Sequence, residues 1–316
     1  MRDITGKTIT LRKALATGFI AMTNETLEMV RTNQIAKGSV IDTARASGFM
    51  AAKNTQNLIP HCHPVTIDGM DIQFNFLNKG DQMEFLDKAT SESGIQVLVE
   101  AKSIGRTGIE MEALTAASLA CLTIYDMVKY LNDPEIEISA INLIEKKGGK
   151  SDRKKFTKSE QQAALLICSE EALLDKKENK AGPIILEILA DNNCTVIDEK
   201  VISGLKEEII SQIKLWGDSD IPFIFTAGGT GLGEKDQVSE AVSDIIEKDM
   251  DGITDAMRQH GYQRTPLAML SRTIAGVYKK SLIITLPGSS NGARESLEAI
   301  LPAIFQTYSM LRRKKN

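Results

Sequence analysis

The chain has 316 residues, enough for about two domains, and its 42% hydrophobic and 25% charged content fits a folded chain with a buried core. A net charge of −4 excludes a generic nucleic-acid binder, which needs a basic surface. Cys62, Cys121, Cys168 and Cys194 form no CxxC pair, so reduced cytoplasmic thiols are expected rather than disulfides or a zinc knuckle.

The opening residues Met1–Lys7 are polar and no apolar h-region follows, so no signal peptide is expected. No apolar run approaches about 18 residues, so no membrane partner is expected either. Residues 39–58 read as a helix, because Val40, Ile41, Ala44, Phe49, Ala52 and Leu58 recur at roughly helical spacing. From Val65 to Val99 the pattern alternates, as in Met70-Asp71-Ile72-Gln73-Phe74-Asn75-Phe76 and Gly94–Val99. Turns at Gly80-Asp81 and Ser93-Gly94 make this antiparallel strand material. A helix rich in small residues follows, from about Met111 to Leu131, and then a strand from Ile136 to Ile144. Hairpins and helices in separate runs predict an α+β first domain, a ferredoxin-like antiparallel sheet with helices on one face.

Three stretches of this half are chemically dense. Ile59-Pro60-His61-Cys62-His63-Pro64 holds two histidines that read either as a metal pair or as structural groups. Gly105–Ala116 carries Glu110, Met111 and Glu112. In Tyr125–Lys129, Asp126 and Lys129 stand three apart and share a helix face. An acid beside an amine transfers protons when its surroundings tune both, and is a surface ion pair otherwise.

These stretches, with Thr43-Ala44-Arg45 through Lys53 and Gly148-Gly149-Lys150, resemble cyclic pyranopterin monophosphate synthase over about residues 1–155. The resemblance implies conversion of a cyclic GTP-derived nucleotide, 3′,8-cyclo-dihydroguanosine triphosphate, to cyclic pyranopterin monophosphate and pyrophosphate. It implies no cofactor. It matches Asp126, Lys129 and Lys37 to catalytic positions. It matches Cys62, His63, Met111 and Glu112 to substrate contacts, with Glu110 beside them. Lys146 and Lys150 fall near the phosphates. His61, counted with the substrate residues, departs from an apolar family position, and Ser39 replaces a common Asp. Several cations suit a triphosphate. The resemblance also implies a homo-oligomer, hexameric or trimer-based, with sites shared between copies.

The first domain is set at 1–150, a basic tether at 151–162, and a second domain at 163–316. In the second, Ala163–Cys168, Cys194–Ile197, Ile221–Thr226 and Ser281–Leu286 read as strands between helices at Ile184–Leu189 and Ser203–Leu215. Continuous apolar strands alternating with helices predict an α/β, doubly wound, mostly parallel sheet. Thr226–Gly233 follows a strand and holds Gly228, Gly229, Thr230 and Gly231, which read as an anion cradle or as a tight turn. The loop is neither a Walker A motif nor GxGxxG.

Asp236 follows that loop, Asp198-Glu199 is read as ending an earlier strand, and Thr265–Arg272 and Leu286-Pro287-Gly288-Ser289 complete the set. The set resembles the molybdopterin adenylyltransferase family over about residues 163–312. That resemblance implies transfer of AMP from Mg-ATP to the molybdopterin phosphate. Gly228–Gly231 and Pro287, Gly288 and Ser289 would hold nucleotide or pterin. Asp198 and Asp236 would be the functional acids, bearing Mg, and Glu295 a later acid. Departures at Ser169-Glu170-Glu171, Asn179-Lys180-Ala181-Gly182, Lys235 and Ser290 leave open a scaffold that binds pterin or nucleotide without chemistry.

Overall fold

Residues Thr10–Ala21 form β1, the strand on which the first half of the chain is built. Periodicity gave no sign of it. The computed structural model describes residues 1–86, 88–149, 159–174 and 180–312, in two units, Met1–Asp152 and Arg153–Asn316. After β1 come α1 (Asn24–Arg31), α2 (Val40–Leu58), β2 (Gly69–Leu77), β3 (Gly94–Gly105), α3 (Glu110–Val128) and β4 (Glu137–Lys147). The sheet is antiparallel in the order β2-β3-β1-β4. β1 pairs with β3 along its whole length, from Thr10 opposite Gly105 to Ala21 opposite Gly94.

Ser39 starts α2: its hydroxyl accepts from the Asp42 amide and donates to the Asp42 carboxylate at 2.7 Å. A side chain that satisfies a free amide fixes the first turn. α3 buries Ala113, Ala116, Ala117, Ala120, Cys121 and Ile124, and these small side chains let it lie close on the sheet and on α2. Burial pushes the Cys121 thiol up to about 12, so it is an inert packing group. The segment Glu110–Leu131 is long and apolar enough to cross a membrane, but about half of its apolar stretch is buried in the fold. Its apolar residues are accounted for by the core they fill.

The second unit holds β5 (Gln161–Cys168), β6 (Cys194–Ile202), β7 (Phe223–Ala227), β8 (Lys248–Asp249), β9 (Ala275–Tyr278) and β10 (Ser281–Leu286). Their order is β6-β5-β7-β10-β9-β8, parallel from β6 to β10 and antiparallel at the β9 and β8 edge. Leu165, Phe223, Phe225 and Ile284 pack on one face, and Leu166, Ile224, Ile283 and Trp216 on the other. Cover on both faces explains the continuous apolar runs. The chain leaves β5 for β6 on one side and then crosses to β7 on the other. This reversal puts a crevice at the carboxyl ends of β5 and β7.

Two expected boundaries are corrected. Gln161 and Gln162, assigned to the tether, open β5. The strand expected to stop at Ile197 runs on to Ile202, because an edge strand tolerates Glu199 and Lys200 facing water, while half-buried Asp198 is satisfied by Trp216. Residues 151–158 of the tether lie outside the described residues.

Candidate active sites

At the carboxyl end of α3, Asp126 sits between two cations. Its carboxylate is 2.7 Å from Lys129 Nζ and 3.3 Å from Lys37 Nζ. Lys37 also donates to the Asp126 carbonyl at 2.5 Å. α2 begins just after Lys37, whose loop turns at Gly38, and the turn Lys129–Leu131 ends α3 just after Asp126. Hydrogen bonds from Lys129 and Lys37 hold the Asp126 carboxyl below its usual range, and the same pairing raises Lys129. The exposed cluster carries net positive charge, which suits a phosphate group.

The other expected residues gather at the amino end of α3. Glu112 is 2% exposed. Its Oε1 accepts from the Cys62 thiol at 3.7 Å, and its Oε2 is buried without a partner. Burial and the neighbouring Glu110 raise the Glu112 carboxyl. Burial also raises the Cys62 thiol, and Glu112 adds to the effect. A buried carboxyl that keeps its proton can donate to a ring nitrogen or oxygen. Lys146, at the end of β4, lies 3.4 Å from Glu110. Met111 is exposed beside them. His63 Nε2 stands 2.8 Å from the Arg2 carbonyl, whereas His61 Nδ1 stands 3.4 Å from the Met1 amine. The two rings thus face different atoms of the N-terminal segment, which favours the structural reading over a metal pair. Lys150 lies outside the described residues.

One copy of the chain does not join these two groups. Glu112 and Asp126 are fourteen residues apart on one helix, about 21 Å along its axis. Arg12 went unnoticed in the sequence, because its strand was not read. Its guanidinium lies between the amino end of β1 and the β3–α3 turn.

In the second unit the glycine loop does stand at the crevice. Gly228 has φ +94°, and a Cβ there would lie 2.5 Å from the Cys168 carbonyl of β5, so only glycine passes. A Cβ on Gly288 would lie 3.1 Å from Gly228 Cα, so the Pro287–Ser289 turn is laid directly on the loop. Ser289 caps the helix Ser290–Ile300, accepting from the Gly292 amide, and Glu295 is half-buried in the second turn of that helix. Thr230 is buried. Asp236 Oδ2 accepts from the Gly233 amide at 2.9 Å and closes the loop on itself. Arg272 ties it down, donating to the Gly231 carbonyl at 2.7 Å and the Asp236 carbonyl at 2.8 Å, and it pairs with Glu240. That pairing lowers the Glu240 carboxyl.

Asp198 is not part of this site. It lies inside β6, level with Ala164 of β5, which is itself level with Ile224 of β7. That is roughly 10 Å short of the strand ends. Its Oδ2 accepts from Trp216 Nε1 at 2.8 Å. Ser203 and Gly204, which carry no charge, follow β6 at its carboxyl end. Asp198, inside β6 and bonded to Trp216, and Asp236, closing the glycine loop, therefore stand on separate elements that the strand register does not bring to one edge.

Two family models match the chain: the MoaC family over residues 1–149, and a family described as a probable molybdopterin binding domain over residues 164–306. A molybdenum cofactor biosynthesis bifunctional protein of Chlorobaculum tepidum is 36% identical over 312 residues, covering 99% of this chain and 94% of that protein. A protein of the same description from Synechococcus elongatus is 31% identical, covering 99% of this chain and 97% of that protein. The cyclic pyranopterin monophosphate synthase of Thermoanaerobacter pseudethanolicus is 47% identical over 151 residues, covering 48% of this chain and 87% of that protein.

Proposed function

Because the chain belongs to the family of bifunctional molybdenum cofactor biosynthesis proteins, we propose that its first unit converts 3′,8-cyclo-dihydroguanosine triphosphate to cyclic pyranopterin monophosphate and pyrophosphate. The observation that carries this reading is the split of the expected residues into two chemically distinct ends of α3. One end offers phosphate-binding cations around an ionised Asp126. The other offers a buried carboxyl and a thiol for the ring system, with Lys146, expected near the phosphates, paired to Glu110 beside them. Both serve one substrate when the carboxyl end of α3 from one copy meets the amino end from another. Leu122 and Tyr125, exposed on α3, supply apolar surface for that contact. The strand and helix order of this unit is also what a ferredoxin-like arrangement requires.

In the assembled site Lys129 holds a proton beside Asp126 and can deliver it once substrate displaces the pair. Burial favours the protonated form of Glu112, the form that can donate to the ring. The test mixes two inactive full-length variants, Asp126→Ala and Glu112→Gln. Hybrid assemblies should regain product, and a mixture as inactive as its components refutes the shared site.

For the second unit, adenylyl transfer from Mg-ATP is one reading and ligand holding without chemistry is the other. Both use the Gly228–Gly231 cradle, the Pro287–Ser289 turn and Arg272. The position of Asp198 inside β6 favours holding, because it leaves Asp236 as the one member of the expected acid pair at the loop. Incubating the whole protein with molybdopterin and Mg-ATP separates the two. Adenylylated product establishes transfer, whereas bound pterin without product supports holding.

A further inference from the structure

Arg12 lies on β1, carries no expected role, and is 5% exposed. Its Nε donates to the Gly105 carbonyl at 3.1 Å. Its Nη2 reaches the Arg106 carbonyl at 3.3 Å and the Thr8 carbonyl at 3.4 Å. Gly105 and Arg106 are in the turn that leads into Glu110 and Glu112. Thr8 belongs to the N-terminal segment whose Arg2 carbonyl contacts His63.

The end of β4 closes over the same guanidinium. Gly148 and Gly149 have φ of +88° and +93°, and a Cβ on Gly149 would stand 2.0 Å from Arg12 Nη1. A Cβ on Gly148 would stand 2.1 Å from the Leu11 carbonyl. The Gly148-Gly149 pair therefore lets the chain beyond Lys146 pass across Arg12. One planar fork thus touches the turn that leads into Glu110 and Glu112, the end of β4 beyond Lys146, and the N-terminal segment that contacts His63.

We propose that Arg12 is a positioning residue for the pterin half-site, fixing the β3–α3 turn, the N-terminal segment and the Lys146–Gly149 end of β4 relative to one another. The inference rests on the reading of the first unit given above and adds to it a residue that touches no substrate. Three carbonyls on two segments, with Gly149 packed against the same group, need donors diverging at fixed angles, which guanidinium has and ammonium lacks. A shift of about 1 Å in such walls costs on the order of 100-fold in rate.

The experiment compares wild type, Arg12→Lys and Gly149→Ala as full-length assemblies. Backbone hydrogen exchange is read at 8, 105–109 and 146–149, and steady-state kinetics with the cyclic nucleotide triphosphate. Arg12→Lys should speed exchange in all three segments and raise KM about 10-fold or more, while the melting transition of the remaining fold persists. Gly149→Ala should reproduce the KM change, and the two changes combined should add little to either alone. In Arg12→Ala, free methylguanidinium should restore KM, which a purely structural role would not show. Unchanged exchange in Arg12→Lys, or faster exchange with an unchanged KM, overturns the proposal. If wild type forms no pterin, the functional reading fails by itself, and exchange still decides whether Arg12 holds the three segments.

Discussion

The two candidate sites differ in how much of each a single copy completes. In the second unit, one copy brings the glycine loop, the Pro287–Ser289 turn and Arg272 into contact. In the first, one copy leaves the expected residues in two groups at opposite ends of α3. The folds account for this. Where a parallel sheet reverses its winding, neighbouring strand ends converge on one crevice. A nineteen-residue helix laid across an antiparallel sheet keeps its two ends apart. Sequence motifs that look adjacent in function are thus adjacent in space only when the topology folds them to the same edge.

The largest effect expected is in the first unit. Asp126→Ala removes the anion between Lys37 and Lys129 and should lower kcat for pterin formation about 10²- to 10⁴-fold. Thermal melting should hardly move, because the ion pairs it makes are exposed. Binding at the second unit should be untouched. A product assay beside a melting curve checks this, and retention of full kcat would remove Asp126 from the chemistry.

Gly228→Ala makes the matching break in the second unit. A side chain at φ +94° and 2.5 Å from the Cys168 carbonyl is strained, by about 1–3 kcal/mol. The unfolding transition of that unit should shift down and pterin binding should weaken, while pterin formation continues. An unchanged transition would mean that the loop does not need its close approach to β5.

The helix α2 and the strand β2 were legible because each has one buried and one wetter face, which writes a period into the sequence, whereas β3 was read from the alternation in Gly94–Val99 and its flanking turn although those six residues are all buried. β1 was not. From Ala14 to Ala21 its residues are mostly small and mostly buried, flanked by β3 and β4, so neither period shows. Arg12 was lost with it. The paired residues at 126 and 129 were legible because i, i+3 spacing is local, but their separation from Glu112 is set by a helix length that no motif states. In the second unit the glycine loop was legible as backbone chemistry. Asp198 was misplaced because a charged run was taken as the end of a strand, when an edge strand carries charge without ending.

A subtler change probes the buried half-site. Glu112→Gln keeps the shape but cannot ionise. Burial raises the Glu112 carboxyl, so the folded state binds that proton more tightly than the unfolded chain does. The native glutamate therefore loses stability as pH rises through its folded value, and below an unfolded value of about 4.3 it behaves as the glutamine does. Glu112→Gln should raise the melting temperature at pH 8, by a gain of about 1–3 kcal/mol that fades toward pH 4, while pterin formation falls. A gain independent of pH would place the effect in packing rather than in charge.

The smallest effect separates the two acids of the second unit. Asp198→Asn keeps an oxygen that can accept from Trp216 Nε1, so stability should change by less than about 1 kcal/mol. Ligand binding at the glycine loop should not change, because the residue lies inside β6 below the strand ends. Asp236→Asn alters the group that closes the loop onto the Gly233 amide, and its effect on pterin binding should be the larger. Isothermal titration of molybdopterin into both full-length variants makes the comparison. If Asp198→Asn weakens binding as much as Asp236→Asn does, β6 contributes to the crevice after all, and the preference for holding over transfer loses its support.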